Sequence, residues 1–287
     1  MIGTVIAHFK ILQLIGVGGM GVVYKAHDTI LDRDVALKFL HPRITARNEY
    51  KVRLLNEAKL AGSLNHSNIC TVHEVREYQG QQYIVMEFVE GITLSELIKK
   101  GPLELNTVVD YAHQIGDGLN EAHKHGIIHR DIKSENIIVT NKNQIKIMDF
   151  GVAKADGSST LPRSLYTFGT VSYMSPEQIL NIDADARADI YSFGVVVYEM
   201  LAGELPFKGD SDPAITFSII NDTPQPITDY RSNLAPKFVN IINRSLEKDR
   251  EDRYSSADEI LLDLEHVKRN LNGDDRSDER PPAGRDA

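Results

Sequence analysis

"LIGVGGMGVVYKAHD", residues 14–28, carries glycines at positions 16, 18 and 21 in the spacing G-x-G-x-x-G. Two kinds of phosphate site use that spacing, and the residues after the third glycine separate them. A loop that grips a dinucleotide ends a strand and opens a helix, because the pyrophosphate sits on the helix N-terminus. Here Gly21 is followed by Val22, Val23, Tyr24, Lys25 and Ala26, a run of β-branched and aromatic residues that favours a second strand. The Gly-Lys-Ser/Thr ending of a P-loop is missing as well. The stretch therefore reads as a glycine turn between two antiparallel strands. Alone it is weak evidence of a ligand, since an ordinary glycine-rich turn has the same letters.

The surroundings strengthen it. "RDVALKFL" (33–40) repeats the strand pattern and places Lys38 within an apolar run. Most lysines so placed are edge residues that snorkel to water. Residues 46–64 switch to helical periodicity, with Leu54, Ala58, Ala61 and Leu64 along one face. Glu57 shares that face, so its carboxylate points inward and calls for a cation. "CTVHEVREYQGQQYIVMEFV" (70–89) reads as a hairpin turned near Gly80.

After Gly91 the pattern becomes helical, at 93–99 and 105–125. The first helix opens with Thr93 and Glu96 in capping-box spacing. Two short strands flank a turn at Asn141 to Asn143. Helices come next near 176–180, 187–203, 213–221, 236–247 and 256–270. The order, a strand-rich lobe and then a larger helical lobe without βαβ alternation, predicts an α+β fold. The polar stretch 272–287 is expected to be disordered.

The chain has 287 residues, 41% hydrophobic and 25% charged, with a formal charge of −9, so general affinity for nucleic acid or anionic membrane is not expected. Its one cysteine, Cys70, rules out an intramolecular disulfide and reads as a small buried residue. No signal peptide is read at the N-terminus. The apolar run "IYSFGVVVYEMLAG" (190–203) is too short for a membrane span. A cytoplasmic location is expected, either for a whole enzyme or for the catalytic domain of a membrane-anchored one.

"HRDIKSEN" (129–136) is followed by "MDFG" (148–151). Phosphoryl transfer needs cations across the phosphates and oxygen ligands to hold those cations. Asn136 and Asp149 are such ligands. Asp131 is a carboxylate able to orient a hydroxyl and accept its proton, and Lys133 can neutralise charge on the moving group.

With these motifs in order, the chain resembles the eukaryotic-type protein kinase family, and its Gly-Gly-Met-Gly-Val-Val-Tyr and Ser-Pro-Glu-Gln stretches resemble the bacterial serine/threonine branch. The resemblance covers about residues 9–268. It implies a bilobal fold: a lead at 1–8, a small antiparallel β-sheet lobe with one helix at 9–90, a mainly helical lobe at 91–268 and a tail at 269–287. Ser175 in Ser175-Pro176-Glu177 replaces the usual Ala of that motif.

By the same resemblance, Ile15, Gly16, Val17, Gly18, Gly19, Met20 and Gly21 form a lid over ATP. Lys38, held by Glu57, pairs with the α and β phosphates. Val23, Ala36 and Ile138 sandwich the adenine, with Met86 at the back and the backbone of Glu87 and Val89 along the purine edge. Asn136 and Asp149 hold Mg2+, for which Mn2+ can substitute. Lys133 and Gly169-Thr170 fit serine/threonine specificity, with Thr170 hydrogen-bonded near Asp131 and Lys133. Asp189 braces the catalytic loop, and Arg253 pairs with Glu177. Residues 151–176 form a hydroxyl-rich activation segment in which Ser164 and Thr167 are the favoured phosphosites, and Arg130 would pair with a phosphate there.

His123, His125 and His129 also fit a weak metal-ligand spacing, but His129 belongs to the catalytic loop and the other two read as helix-capping residues near Gly126. The implied activity is ATP-dependent phosphorylation of protein serine and threonine, with self-association for trans-autophosphorylation as a further expectation. The rivals are a nucleotide-sensing pseudokinase and a small-molecule phosphotransferase. The presence of Lys38, Glu57, Asp131, Asn136 and Asp149 speaks against the first, and Ser175-Pro176-Glu177 with its activation segment against the second.

Overall fold

Strand-forming sequence dominates the N-terminal third, and in the computed structural model, which describes residues 1–19, 21–41, 52, 58–150 and 170–271, it forms one antiparallel sheet. The strands are β1 (Val5–Ile6), β2 (Phe9–Gly18), β3 (Gly21–Asp28), β4 (Arg33–Leu40), β5 (Val72–Tyr78) and β6 (Gln81–Glu87), in the spatial order β1-β2-β3-β4-β6-β5. β2 and β3 pair down to Gly18 opposite Gly21, so the glycine motif is a hairpin tip. The turn at Gln79 and Gly80 joins β5 to β6, as the sequence predicts. β1 lies within the segment read as a lead. Ile6 and Phe9, each 1% exposed, pair across β1 and β2 and extend the apolar face by one strand.

Side chains alternate along a strand, so β4 supplies two faces. Val35, Leu37 and Phe39 join Tyr83 and Val85 of β6 in one apolar cluster. Ala36 and Leu40 join Ile84, Met86 and Cys70 in the other. Lys38 sits in register between Ala36 and Leu40 and shares their face. The helix read over 46–64 is described for 58–63, where Ala58 and Ala61 are buried, as is Leu64 just beyond, in line with the predicted face.

The larger lobe opens with β7 (Gly91–Thr93), which pairs with β8 (Ile137–Thr140), itself paired with β9 (Ile145–Ile147). The sequence reading gave β7 no strand, for its three residues are too few to show a period. A Cβ at Gly91 would stand 2.3 Å from the Val139 carbonyl oxygen, so this close pairing requires glycine.

The helices are α1 (Leu94–Ile98), α2 (Leu105–Lys124), α3 (Pro176–Ile179), α4 (Ala186–Ala202), α5 (Asp212–Asn221), α6 (Pro236–Ser245) and α7 (Ala257–Leu271), close to the predicted bounds. Thr93 and Glu96 form the expected capping box on α1, and Ser175 with Gln178 forms a second on α3. α4 is buried from Ala188 to Leu201 on every side, the pattern of a helix at the centre of a lobe. Among the described residues no helix is long and apolar enough to cross a membrane. The first part of the 46–64 helix and the 272–287 tail lie outside the described residues.

Candidate active site

The three glycines of the hairpin serve different ends. Gly21 has φ +148°, and a Cβ there would stand 1.8 Å from the Phe39 carbonyl oxygen, so the chain's own packing demands glycine. A Cβ on Gly16 or Gly18 would meet nothing within 4 Å. Packing within the chain therefore does not demand glycine at either position, although both pair across the hairpin, Gly16 opposite Val23 and Gly18 opposite Gly21. Beside them Ile15 and Val17 are exposed by 49% and 73%, apolar side chains left largely open to solvent. Gly19 is also exposed, and Met20 lies outside the described residues.

Below the hairpin, Ala36 and Met86 line one cluster against which Val23 and Val89 pack. Ile138, the other residue expected to flank the adenine, is half-buried on β8 and does not belong to that cluster. The Glu87 N–H is spent on the Thr71 carbonyl (2.9 Å), and the Cys70 thiol approaches the Glu87 carbonyl at 3.7 Å. Val89, in contrast, makes no backbone–backbone hydrogen bond among the described residues. Its N–H and C=O remain available to a planar ligand edge. The Glu87 carboxylate is a strut, accepting from Lys146 Nζ (2.9 Å) and the Thr71 N–H (3.2 Å). Burial pushes the Cys70 thiol pKa well up, which marks it as packing rather than chemistry.

Lys38 is 5% exposed, and its Nζ lies 2.7 Å from Asp149 Oδ1. Its expected partner Glu57 lies outside the described residues; the partner seen is the aspartate of "MDFG". Asp149 has φ +60° and Arg130 has φ +64°, left-handed values that cost a non-glycine residue about 1–2 kcal/mol. The two kinks fall within the segments 129–136 and 148–151 that carry the candidate site residues.

Asp189, fully buried on α4, holds the kink at Arg130. Its Oδ1 accepts from the Arg130 N–H (2.7 Å), and its Oδ2 from the His129 N–H (2.8 Å) and His123 Nε2 (2.9 Å). Burial would raise the Asp189 pKa, but these donors, His123 foremost, hold it below the ordinary aspartate value. The bracing role implied for Asp189 is therefore visible as geometry. His123, read as a capping residue, instead reaches across to Asp189; only His125 caps α2, with Nδ1 on the Glu121 carbonyl. Asp189→Asn is expected to lower stability by about 1–3 kcal/mol, because an amide leaves at least one of these three buried donors facing an N–H. The midpoint of urea unfolding measures it; an unchanged midpoint would refute the brace.

His129 orders the next layer. Its Nδ1 accepts the Asp131 N–H at 3.2 Å, which leaves the proton on Nε2 to donate to the Met148 carbonyl at 2.8 Å. Burial lowers its pKa, in keeping with a neutral ring. The ring also meets Phe150 edge-on at 4.6 Å. One imidazole thus ties the 129–136 loop to the strand end that carries Asp149.

Asp131 Oδ2 lies 3.1 Å from Lys133 Nζ and accepts from Asn136 Nδ2 at 3.0 Å. Asn136 Nδ2 also donates to the Asp131 carbonyl at 2.8 Å, so its amide nitrogen is committed and its Oδ1 faces away as an acceptor. The loop leans on α3 through Gln178 Nε2, which donates to the Arg130 carbonyl (3.0 Å). Neither Gln178 nor His123 was given this role from sequence. α3 is fastened in turn by Glu177 and Arg253, which are 6% and 2% exposed. Arg253 gives Glu177 two hydrogen bonds, at 2.8 and 2.9 Å, as the resemblance implied. The Thr170 side chain, Ser164 and Thr167 lie outside the described residues.

Residues 9–264 match the family model described as "Protein kinase domain". The chain is 44% identical over 277 residues to a "Probable serine/threonine-protein kinase" of Clostridium acetobutylicum, an alignment covering 96% of this chain and 42% of that protein. It is 36% identical over 266 residues to the serine/threonine-protein kinase PknB of Mycolicibacterium smegmatis, covering 90% of this chain and 43% of PknB. It thus spans about two fifths of the length of these curated relatives. The crystal structure of the Mycobacterium tuberculosis PknI kinase domain is similar in fold, with a TM-score of 0.74 at 26% identity, covering 93% of this chain and 98% of that one.

Proposed function

The chain belongs to the protein kinase domain family, and from that premise we propose that it transfers the γ-phosphoryl group of ATP to serine and threonine hydroxyls of proteins, its own Ser164 and Thr167 among them. The observation that carries this reading is the setting of Asp131. Its carboxylate is held by Lys133 and Asn136 on a loop whose kinked backbone is pinned by buried Asp189. A carboxylate so fixed can orient an acceptor hydroxyl and take its proton, while Lys133 stands close enough to offset charge on the transferred group.

The oxygen donors suit a magnesium ion. Mg2+ keeps several waters and uses few protein ligands besides the phosphates. Asn136 Oδ1 and the carboxylate of Asp149 would hold it, and the ion when bound would neutralise charge on the phosphate oxygens. Lys38, buried beside Asp149, would take the α and β phosphates, and the hairpin tip that carries Gly16 and Gly18 would cover them. Val89 would meet the purine edge. Trans-autophosphorylation requires two copies to meet, which makes self-association part of the proposal.

The test is intact mass with fragment mapping after phosphatase treatment and incubation with ATP. Wild type is expected to gain phosphate with Mg2+ or Mn2+ and none with a chelator, and Asp131→Asn to gain it at least about a hundredfold more slowly. Added mass at Ser164 or Thr167 would locate the acceptors. A wild type that binds ATP yet gains nothing, on itself or on a basic protein substrate, would overturn the proposal in favour of a nucleotide-sensing module.

A further inference from the structure

Beneath the catalytic loop, three hydroxyl or carboxyl groups meet in a buried triangle. Ser134, from the turn Ser134–Asn136, is fully buried; Tyr173, closing the turn Thr170–Tyr173, is 5% exposed; Glu199 of α4 is 9% exposed. Ser134 Oγ lies 2.8 Å from the Tyr173 hydroxyl, Tyr173 donates to Glu199 Oε2 at 2.8 Å, and Ser134 Oγ lies 3.3 Å from Glu199 Oε1. Tyr173 is further fixed by Ser192, whose hydroxyl donates to its carbonyl at 2.7 Å.

Proton counting makes this arrangement informative. The triangle has three oxygen–oxygen edges, and serine and tyrosine bring one O–H each. An ionised carboxylate only accepts, so with Glu199 ionised one edge has no proton and sets two acceptors face to face. A protonated Glu199 brings the third O–H, and all three edges can then be hydrogen bonds running round the ring. In a site closed to water an unfilled edge is costly, so the geometry favours the protonated acid. The electrostatics agree in direction. Burial pushes the Glu199 pKa up to about 7; Glu135, next to Ser134, adds to this, while Lys99 at the end of α1 and the two hydroxyls oppose it.

We propose that Ser134 is a positioning residue: through it the protonated Glu199 carboxyl closes a ring of hydrogen bonds that ties the catalytic loop to the turn leading into α3, and the ring opens when the proton leaves. Ser134 stands between Lys133 and Asn136, so the ring sets the height of the segment carrying both partners of Asp131. Tyr173 stands two residues before Ser175, the N-cap of α3, whose Gln178 returns to the Arg130 carbonyl. Closing the ring completes a circuit around the loop. The proposal rests on the assignment of Asp131, Lys133 and Asn136 to phosphoryl transfer.

Two readouts test it on the whole chain. The first is catalytic: kcat for a serine peptide across pH, in wild type, Glu199→Gln, Ser134→Ala and Ser134→Thr. An amide at 199 carries its own N–H donor at every pH. The wild-type to E199Q ratio is therefore expected to fall about three- to tenfold from about pH 6 to about pH 8, following a single ionisation near 7. S134A should lose that pH-dependent component and S134T regain it, with the KM for ATP unmoved throughout. A ratio independent of pH, or a threonine that fails to restore what alanine removes, would overturn the proposal.

The second readout needs no catalysis and so separates this inference from the kinase reading itself. A carboxyl whose folded pKa lies above 4.5 binds more protons in the native state, so its contribution to stability falls as pH rises from 4.5 to about 7. The urea midpoint of wild type relative to E199Q should fall across that window and level off above it. A difference that is constant in pH would refute the ring even in an active enzyme.

Discussion

Asp131→Asn is expected to give a folded protein whose kcat for peptide phosphorylation has dropped by about 10²–10⁴-fold. The substitution keeps the shape of the side chain, and the loop around it is fixed by contacts Asp131 does not make. His129 and Arg130 give their N–H groups to Asp189, and the Met148 carbonyl takes the His129 proton. What the amide loses is the capacity to accept a proton from an incoming hydroxyl. It also cannot match Lys133 and Asn136, both donors aimed at Oδ2, without turning its oxygen to them and its NH2 towards the acceptor. The loss corresponds to about 2.7–5.4 kcal/mol at 1.36 kcal/mol per decade, all in the chemical step. The KM for ATP should stay within about twofold, since uniform binding is untouched. Steady-state kinetics at saturating nucleotide measure it; a fall of less than tenfold would remove Asp131 from the role of base.

Arg253→Met is expected to destabilise the fold by about 3–5 kcal/mol, more than the loss of the Asp189 brace. All five N–H groups of this guanidinium are used. Nε donates to the Glu247 carbonyl (2.7 Å), and the terminal nitrogens to both Glu177 oxygens and to the carbonyls of Arg187 (3.1 Å) and Lys248 (3.0 Å). Methionine fills part of the space but leaves the Glu177 carboxylate, 6% exposed, without its cation and takes the guanidinium donors from three carbonyls.

The pH dependence should reverse with it. In wild type, burial acts to raise the Glu177 pKa and Arg253 outweighs it, leaving the pKa below 4.5. The ion pair then supplies stability above 4.5 that is lost as pH falls through the folded value. In Arg253→Met burial is opposed only by the weaker hydrogen bonds from the Ser175 hydroxyl and the Glu177 N–H. The folded pKa is then expected to rise above 4.5, so that stability falls as pH rises from 4.5 to that value. Urea midpoints from acid to neutral pH should therefore diverge between the two proteins. Adding Glu177→Leu to Arg253→Met should recover part of the loss, because it removes the stranded charge. A double variant no more stable than the single one would show that the guanidinium acts through the carbonyls instead.

Legibility in the sequence tracks the range of the interactions. Lys38, which reads as a snorkelling edge lysine, was not legible as a buried residue, because residues 35–40 are buried on both faces and show no apolar/polar alternation. The residues after Gly21 settled that the glycine motif is a hairpin, because strand propensity is local. The grouping of Asp131, Lys133 and Asn136 was readable because the three lie within one short loop of fixed spacing. β1 and β7 were missed because two or three residues show no period, and only the partner strand makes them strands. His123 looked like the end of a helix, since nothing near it in sequence reveals that Asp189 lies 2.9 Å away.

Sequence by itself thus determined the lobe order, the glycine hairpin and the residue types gathered in the 129–136 loop. Each rests on neighbours a few residues apart, whose relations the strand and helix periods dictate. Only the tertiary structure decided that Lys38 meets Asp149, that one buried aspartate carries two loop N–H groups, and that Ser134, Tyr173 and Glu199 share a ring. Ser134 and Tyr173 are 39 residues apart, Tyr173 and Glu199 26. No period links such positions. Packing of α4 beneath the loop brings them together, and exclusion of water there turns an ordinary serine, tyrosine and glutamate into groups whose protons have to be counted.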